Sequence, residues 1–267
     1  MSNLKVVLFC GGLGLRMRDY SEKIPKPMGL IGPRPILWHL MKYYAHFGHN
    51  EFIICLGHGA EMVKQYFLNY DETISNDFVL DRRSRDVMLL SSDIDEWKMT
   101  FLDTGVKASV GERLVAVQEH LSGEDVFLAN YSDGLTDLHL PTYIDYAVNS
   151  GCTATFLAVH SSNTMHVSQI EDDGKVNSIY PLTDSGLWIN GGFFVLKREI
   201  FDFIGPGEDL VEEPFYRLIL DRQLGAYKHR GFWAAMDTFK ERQALEDLYV
   251  KGTAPWEVWK TATTDRA

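Results

Sequence analysis

Cysteine is scarce in this 267-residue chain: Cys10, Cys55 and Cys152 are all it has. Each sits in an apolar stretch, without the close spacing of a metal-binding set or a disulfide framework. They therefore read as small core residues in a reducing cytoplasm. A run of about twenty apolar residues able to cross a bilayer is missing as well, and no charged segment leads into an apolar stretch at the amino terminus. Neither a membrane nor secretion is expected. Positive charge is in deficit, with 26 Lys and Arg against 37 Asp and Glu and a formal charge of −11. That balance argues against nucleic acid as a partner, because nonspecific phosphate attraction needs a cationic surface. No single repeating motif and no Pro/Ser-rich linker divides the chain, so residues 1–267 read as one folding unit.

An anionic ligand would have to find a local cluster of cations, and the amino-terminal region has one. An apolar run over residues 4–10 empties into Gly11-Gly12-Leu13-Gly14-Leu15-Arg16-Met17-Arg18, with Lys23 and Pro25-Lys26-Pro27 close behind. Glycines let the backbone turn tightly and bring N–H groups against anionic oxygens where a Cβ would obstruct them. A buried strand leading to such a loop suits a ligand site at the carboxyl edge of a sheet. The dinucleotide pattern G-x-G-x-x-G fails, because Met17 stands where its third glycine belongs, and the Walker pattern is absent. Read blandly, the segment is a strand and a flexible turn. The arginines and the rigid setting of Lys26 between two prolines weigh against that.

Hydrophobic residues at 45% and charged residues at 24% describe a globular chain able to build a substantial core. Strand-like and helix-like periods alternate, which predicts an α/β, Rossmann-like fold: a mainly parallel central sheet flanked by helices, with a smaller β-rich part. The expected strands are 4–10, 52–56, 126–131 and 152–159. Helices are expected after residue 36, stopping at Gly48, and over 60–70 and 140–149. Residues 71–105 read as a polar insertion carrying the charge run Asp81-Arg82-Arg83-Ser84-Arg85-Asp86, with strand-like 98–102 inside it. Short strands at 167–170, 176–180 and 188–196 and a helix over 210–223 follow. Asp133, after the strand at 126–131, and Asp237, after the apolar 231–236, would each sit at a sheet edge. Taken alone, an aspartate after a strand is a turn or cap residue, and Asp237 beside Thr238 fits that reading too.

The glycine–arginine loop with its downstream Pro-Lys-Pro resembles the signature of the sugar-nucleotide pyrophosphorylases. Further matches run along nearly the whole chain. They include Gly32-Pro33-Arg34-Pro35-Ile36-Leu37-Trp38-His39, Trp188-Ile189-Asn190-Gly191-Gly192-Phe193-Phe194, Gly231-Phe232-Trp233 with Met236-Asp237-Thr238, and Ala254-Pro255-Trp256. These look specifically like the glucose-1-phosphate cytidylyltransferases. The resemblance implies a reaction in which a sugar 1-phosphate oxygen attacks the α-phosphorus of a nucleoside triphosphate, CTP favoured, and pyrophosphate leaves. It implies Mg²⁺ on Asp133 and Asp237, and Arg16 and Lys26 as the catalytic cations. The implied nucleotide site comprises Cys10, Gly11, Gly12, Leu13, Gly14, Leu15, Arg16, Lys26, Gly111, Arg113 and Ser132. Tyr131, Asn190, Gly191 and Trp233 would face the sugar. Residues 1–137 would then be mainly nucleotide-facing and 138–267 mainly sugar-facing. A homo-oligomer is expected, and Trp256 and Trp259 read either as a subunit contact or as packing back onto their own chain.

Some positions depart from the pattern. The family's T-M-T-G-G-R appears as Ala108-Ser109-Val110-Gly111-Glu112-Arg113, which brings a carboxylate toward a polyphosphate. Its Y-G-D-G is Tyr131-Ser132-Asp133-Gly134, and the E-K-P lysine that meets the sugar phosphate has no counterpart around Tyr180-Pro181-Leu182. Removing a cation from a desolvated phosphate site costs several kcal/mol. His160 and His166 are the candidates to replace part of it. The departures concentrate on the sugar side, so the expected acceptor need not be glucose 1-phosphate. A catalytically silent nucleotide-binding regulatory homologue is the alternative reading, and a structural α/β module without nucleotide is a third.

Overall fold

The computed structural model describes residues 3–12, 24–161 and 165–261. Its centre is a strand buried on both faces, β1 (Val6–Phe9), whose sequence is therefore apolar without alternation. Val6 and Leu8 point into one core, Val7 and Phe9 into the other. Six more strands complete the sheet: β2 (Glu51–Leu56), β3 (Lys98–Asp103), β4 (Val126–Tyr131), β5 (Ala154–Val159), β6 (Ile189–Lys197) and β7 (Leu224–Lys228). Their order is β7-β5-β6-β4-β1-β2-β3. β1 runs parallel to β2 and β4, β2 to β3, and β5 to β7, while β6 is antiparallel to both β4 and β5.

The first core is closed by α1 (Ile36–His46), α2 (Ala60–Leu68) and α4 (Leu140–Ser150), the second by α3 (Val110–Ala116) and α5 (Glu213–Leu220). Local chemistry sets their ends. Gly48, at φ +86°, lets the chain turn after α1, and Ser109 with Glu112 forms a capping box on α3. A second capping box, Thr238 with Glu241, starts α6 (Phe239–Val250), and α7 (Val258–Thr261) follows. Trp256 is fully buried in the first core, and its Nε1 donates to His39 Nδ1 at 3.3 Å. That tautomer leaves His39 Nε2 to donate to the Ile31 carbonyl at 3.0 Å. Burial holds this imidazole neutral, its pKa pushed down to about 4. Trp256 thus packs back onto its own chain, with Trp259 edge-on to Trp38.

Two expectations change. Residues 98–102 belong to β3, an edge strand of the main sheet, so the insertion is shorter than the sequence suggested. Being half-exposed, β3 lacks the apolar run that marks β1 and β2. What projects is a ribbon of Phe78–Leu80 and Val87–Leu89, exposed at all six positions. Likewise 188–196 is no satellite strand. It is β6, bonded between β4 and β5.

Candidate active site

The carboxyl ends of β1, β2 and β3 meet around one arginine. Arg113, on α3, is 3% exposed. Its guanidinium donates to the Gly11 carbonyl at 2.9 Å, the Leu56 carbonyl at 3.1 Å and Thr104 Oγ1 at 2.7 Å, tying together the turns after the three strands. Gly11 has to be glycine, because a Cβ there would lie 2.0 Å from the guanidinium. Ser132 Oγ donates to the Phe9 carbonyl at 2.8 Å and fixes the turn after β4 to the end of β1. Beside it the Cys10 thiol is fully buried, and desolvation pushes its pKa up to about 12, so it is an inert wall.

Asp133 and Asp237, far apart in sequence, converge for a topological reason. Gly134–Thr136 and Trp233–Ala235 form an antiparallel ribbon with Gly134 opposite Ala235, so both aspartates flank the same end. The Met236 N–H donates to the Asp133 carbonyl at 2.8 Å and closes that end. Lys26 reaches in from a short 3-10 turn, Lys26–Met28, where the flanking prolines restrict the backbone. Its Nζ donates to Asp133 Oδ2 at 2.7 Å and to Asp237 Oδ1. Burial alone would lower the Lys26 pKa. The two carboxylates outweigh it and hold the ammonium above its ordinary value.

Lys26 and Asp133 line one cavity, and the chain neighbours of Asp237, Ala235 and Thr238, line another. One, of ≈ 590 Å³, is lined by Gly11, Gly12, Lys26, Ser109, Ser132 and Asp133, among others. The other, of ≈ 780 Å³, is lined by Ala235, Thr238, Trp233, His229, Arg230 and His160, among others. The first also takes in Cys10, Arg113 and Tyr131, whose phenol is kept protonated by burial and by the nearby Asp209.

Of the residues singled out in the sequence, Leu13, Gly14, Leu15 and Arg16 lie outside the described residues. Cys10, Gly11, Gly12, Lys26, Arg113, Tyr131, Ser132 and Asp133 all border the first cavity. Gly111 does not: it sits in the first turn of α3, where a Cβ would lie 2.4 Å from the Glu208 carbonyl oxygen. Glu112 accepts from the Ser109 N–H at 2.8 Å, so its carboxylate serves its own helix cap. Asn190 Oδ1 accepts from the Gly192 N–H, and the Gly191 carbonyl accepts from Trp233 Nε1 at 2.9 Å. The Gly191 carbonyl thus holds the indole, which lines the second cavity. His166 lies opposite Pro181 in the ribbon of His166–Ile170 with Val176–Pro181. Sequence reasoning missed Thr104, Asp209 and the His229–Asp137 pair at 2.9 Å, because each acts through a partner that only the fold brings near.

Residues 5–238 match the nucleotidyl transferase family. Over 258 residues the chain is 38% identical to a probable glucose-1-phosphate cytidylyltransferase of Bacillus subtilis, covering 96% of this chain and 100% of that one. Over 260 residues it is 37% identical to a glucose-1-phosphate cytidylyltransferase of Salmonella typhi, with the same coverage. The chain belongs to the nucleotidyl transferase family. A nucleotidyltransferase fold is also what the solved structures give: a UDP-glucose pyrophosphorylase complexed with UDP-glucose superimposes with a TM-score of 0.67 at 15% identity, over 94% of this chain and 100% of that one.

For a nucleotidyltransferase the donor set fits a hard divalent cation. Two carboxylates already converge on one cationic point, the Lys26 ammonium. Among the described residues no group of three or more His, Cys, Asp or Glu side chains could cage a metal. A pair of carboxylates leaving room for phosphate and water is what Mg²⁺ takes, and Ca²⁺ would want more protein oxygens.

Proposed function

We propose that the protein joins CTP to a sugar 1-phosphate, giving a CDP-sugar and pyrophosphate, with Mg²⁺ held by Asp133 and Asp237. The observation that carries this reading is the convergence of Asp133 and Asp237 on Lys26, with Lys26 and Asp133 lining the cavity backed by the glycine turn and the neighbours of Asp237 lining the one backed by Trp233. The names of the relatives support the base and the acceptor class. A sugar-phosphate oxygen attacks the α-phosphorus, the α–β phosphoanhydride bond breaks, and pyrophosphate carries off the negative charge. The attacking group is already anionic, so no side chain has to remove a proton. When bound, the divalent ion supplies charge neutralisation on the phosphates. The Lys26 ammonium, fixed by its prolines, pairs with the reacting phosphate, and Trp233 shapes the acceptor pocket. Residues 1–137 serve mainly the nucleotide and 138–267 mainly the sugar. Free Cys10, Cys55 and Cys152 support a cytoplasmic setting, and the exposed apolar ribbon at Phe78–Leu80 and Val87–Leu89 supports self-association.

Pyrophosphate release with CTP, Mg²⁺ and a panel of sugar 1-phosphates is the direct test. Turnover with at least one acceptor is expected. CTP binding by calorimetry without turnover across the panel would instead establish the silent regulatory reading, which the missing lysine around residues 180–182 motivates.

A further inference from the structure

In a chain with a formal charge of −11, cations that lack an acidic partner require an explanation. Lys228 and Arg230 are both exposed, and both stand over one ring: Lys228 Nζ lies 5.4 Å and Arg230 Cζ 5.5 Å from the centre of Trp188. Among the described residues neither meets a carboxylate. The intervening His229 points elsewhere, to Asp137, as the alternation of an extended segment requires. On the same indole lies His160, ring centres 4.0 Å apart, with its Nδ1 3.1 Å from the Leu187 carbonyl. Cation–π contact at an exposed site contributes only about 0.5–1 kcal/mol, enough to orient a side chain but not to neutralise it.

Arg230 and His160 line the same ≈ 780 Å³ cavity as Trp233 and Thr238, a volume in the usual range for a small-molecule site. The strand Trp233–Ala235 runs along that cavity. Thr238, next to Asp237, marks its reaction end, and Arg230 lies before the other end of the same strand. An acceptor with its anomeric phosphate at the Thr238 end would present its far side to Arg230 and His160, with Lys228 beside them over Trp188. We propose that this cluster is a second anion subsite, and that the preferred acceptor is a sugar 1-phosphate bearing a further negative group, carboxylate or phosphate, on the part of the ring remote from C1. The inference rests on the proposed sugar-1-phosphate transfer.

The test compares glucose 1-phosphate, glucuronate 1-phosphate and glucose 1,6-bisphosphate as acceptors and as calorimetric ligands, in the wild type and in Arg230→Gln and Lys228→Gln/Arg230→Gln variants. One ion pair in a partly solvated pocket is expected to favour an acidic acceptor about tenfold in kcat/KM and in affinity. The double variant should bring that ratio near unity, and Arg230→Lys should restore part of it. A better glucuronate ligand identifies a carboxylate subsite, and a better bisphosphate a phosphate subsite. Equal or better use of glucose 1-phosphate, or a preference that survives the double variant, overturns the subsite. Acidic ligands bound in an Arg230-dependent way without turnover would keep the subsite and remove the transferase reading.

Discussion

The cavity beside Gly11 and the cavity beside Trp233 are built differently. The one beside Gly11 is set in the core: Arg113 and Ser132 are buried and spend their polar atoms on backbone carbonyls at the ends of β1 and β2. The one beside Trp233 is walled by short strands and a helix face, and its charged rim, Arg230 with Lys228 alongside, is exposed. A change in the first is felt by the whole sheet, whereas a change in the second touches solvent and ligand. This suits the proposed division, in which a nucleotide cavity is held fixed and acceptor choice is left to side chains that can vary at little cost to stability.

The largest effect is expected at Asp133 and Asp237. Asp133→Asn or Asp237→Asn should lower pyrophosphate release by about a thousandfold or more, since removing one electrostatic partner in a preorganised site costs about 10²–10³ by itself and each carboxylate also holds Lys26. Circular dichroism and CTP titration with Mg²⁺ would separate lost chemistry from lost fold, and near-normal turnover in either variant would remove the metal role. The next effect discriminates the two walls. Arg113→Ala removes the buried guanidinium's hydrogen bonds to the Gly11 carbonyl, the Leu56 carbonyl and Thr104 Oγ1 and leaves a cavity in its place, and is expected to lower stability by about 3 kcal/mol. Arg230→Ala, at an exposed position, is expected to stay within about 0.5 kcal/mol. Equal urea midpoints for the two would break the distinction between a core-built and a surface-built cavity.

Much of the first wall was legible in the sequence, because its signals are local. An unbroken apolar strand ending in glycine, and a lysine between prolines, each state their constraint within a few residues. The sheet's central strands could be read for the same reason: both faces of β1 and β2 are covered, so their residues are apolar throughout. β3 was assigned to an insertion because an edge strand mixes polar and apolar residues. Residues 188–196 gave a strand but not its position, since pairing antiparallel to β4 and β5 is set by a crossover that no short pattern encodes. Asp133 and Asp237 could be named only through resemblance. The ribbon pairing Gly134 with Ala235, which brings them together, joins segments about a hundred residues apart. At Gly111 a packing need is visible, since a Cβ there would meet the Glu208 carbonyl, and a motif alone does not distinguish such a need from a ligand contact.

Acid should weaken the frame behind both cavities. His39 in α1 is neutral and buried, its pKa down at about 4 against an ordinary 6.5. Because the native value is depressed, the unfolded chain takes up the proton first. The contribution is intact above pH 6.5 and is lost as pH falls toward 4, about 2 kcal/mol of it by pH 5. Urea midpoints at pH 7 and pH 5 read this directly, and His39→Gln should flatten the difference. A slope unchanged by that substitution would place the acid sensitivity elsewhere.

The smallest expected effect bears most finely on the acceptor side. His166 lies opposite Pro181, where the sequence has lost the family's sugar-phosphate lysine, and it is exposed. If the imidazole replaces part of that lysine's work, His166→Ala should raise KM for the sugar phosphate a few-fold, the loss of one exposed polar contact being on the order of 1 kcal/mol. KM for CTP should barely move, because the proposed nucleotide cavity is anchored through Arg113 and Ser132. Changes of equal size in both constants would mean that His166 acts through the fold and that the ribbon carrying it has no separate part in recognising the acceptor.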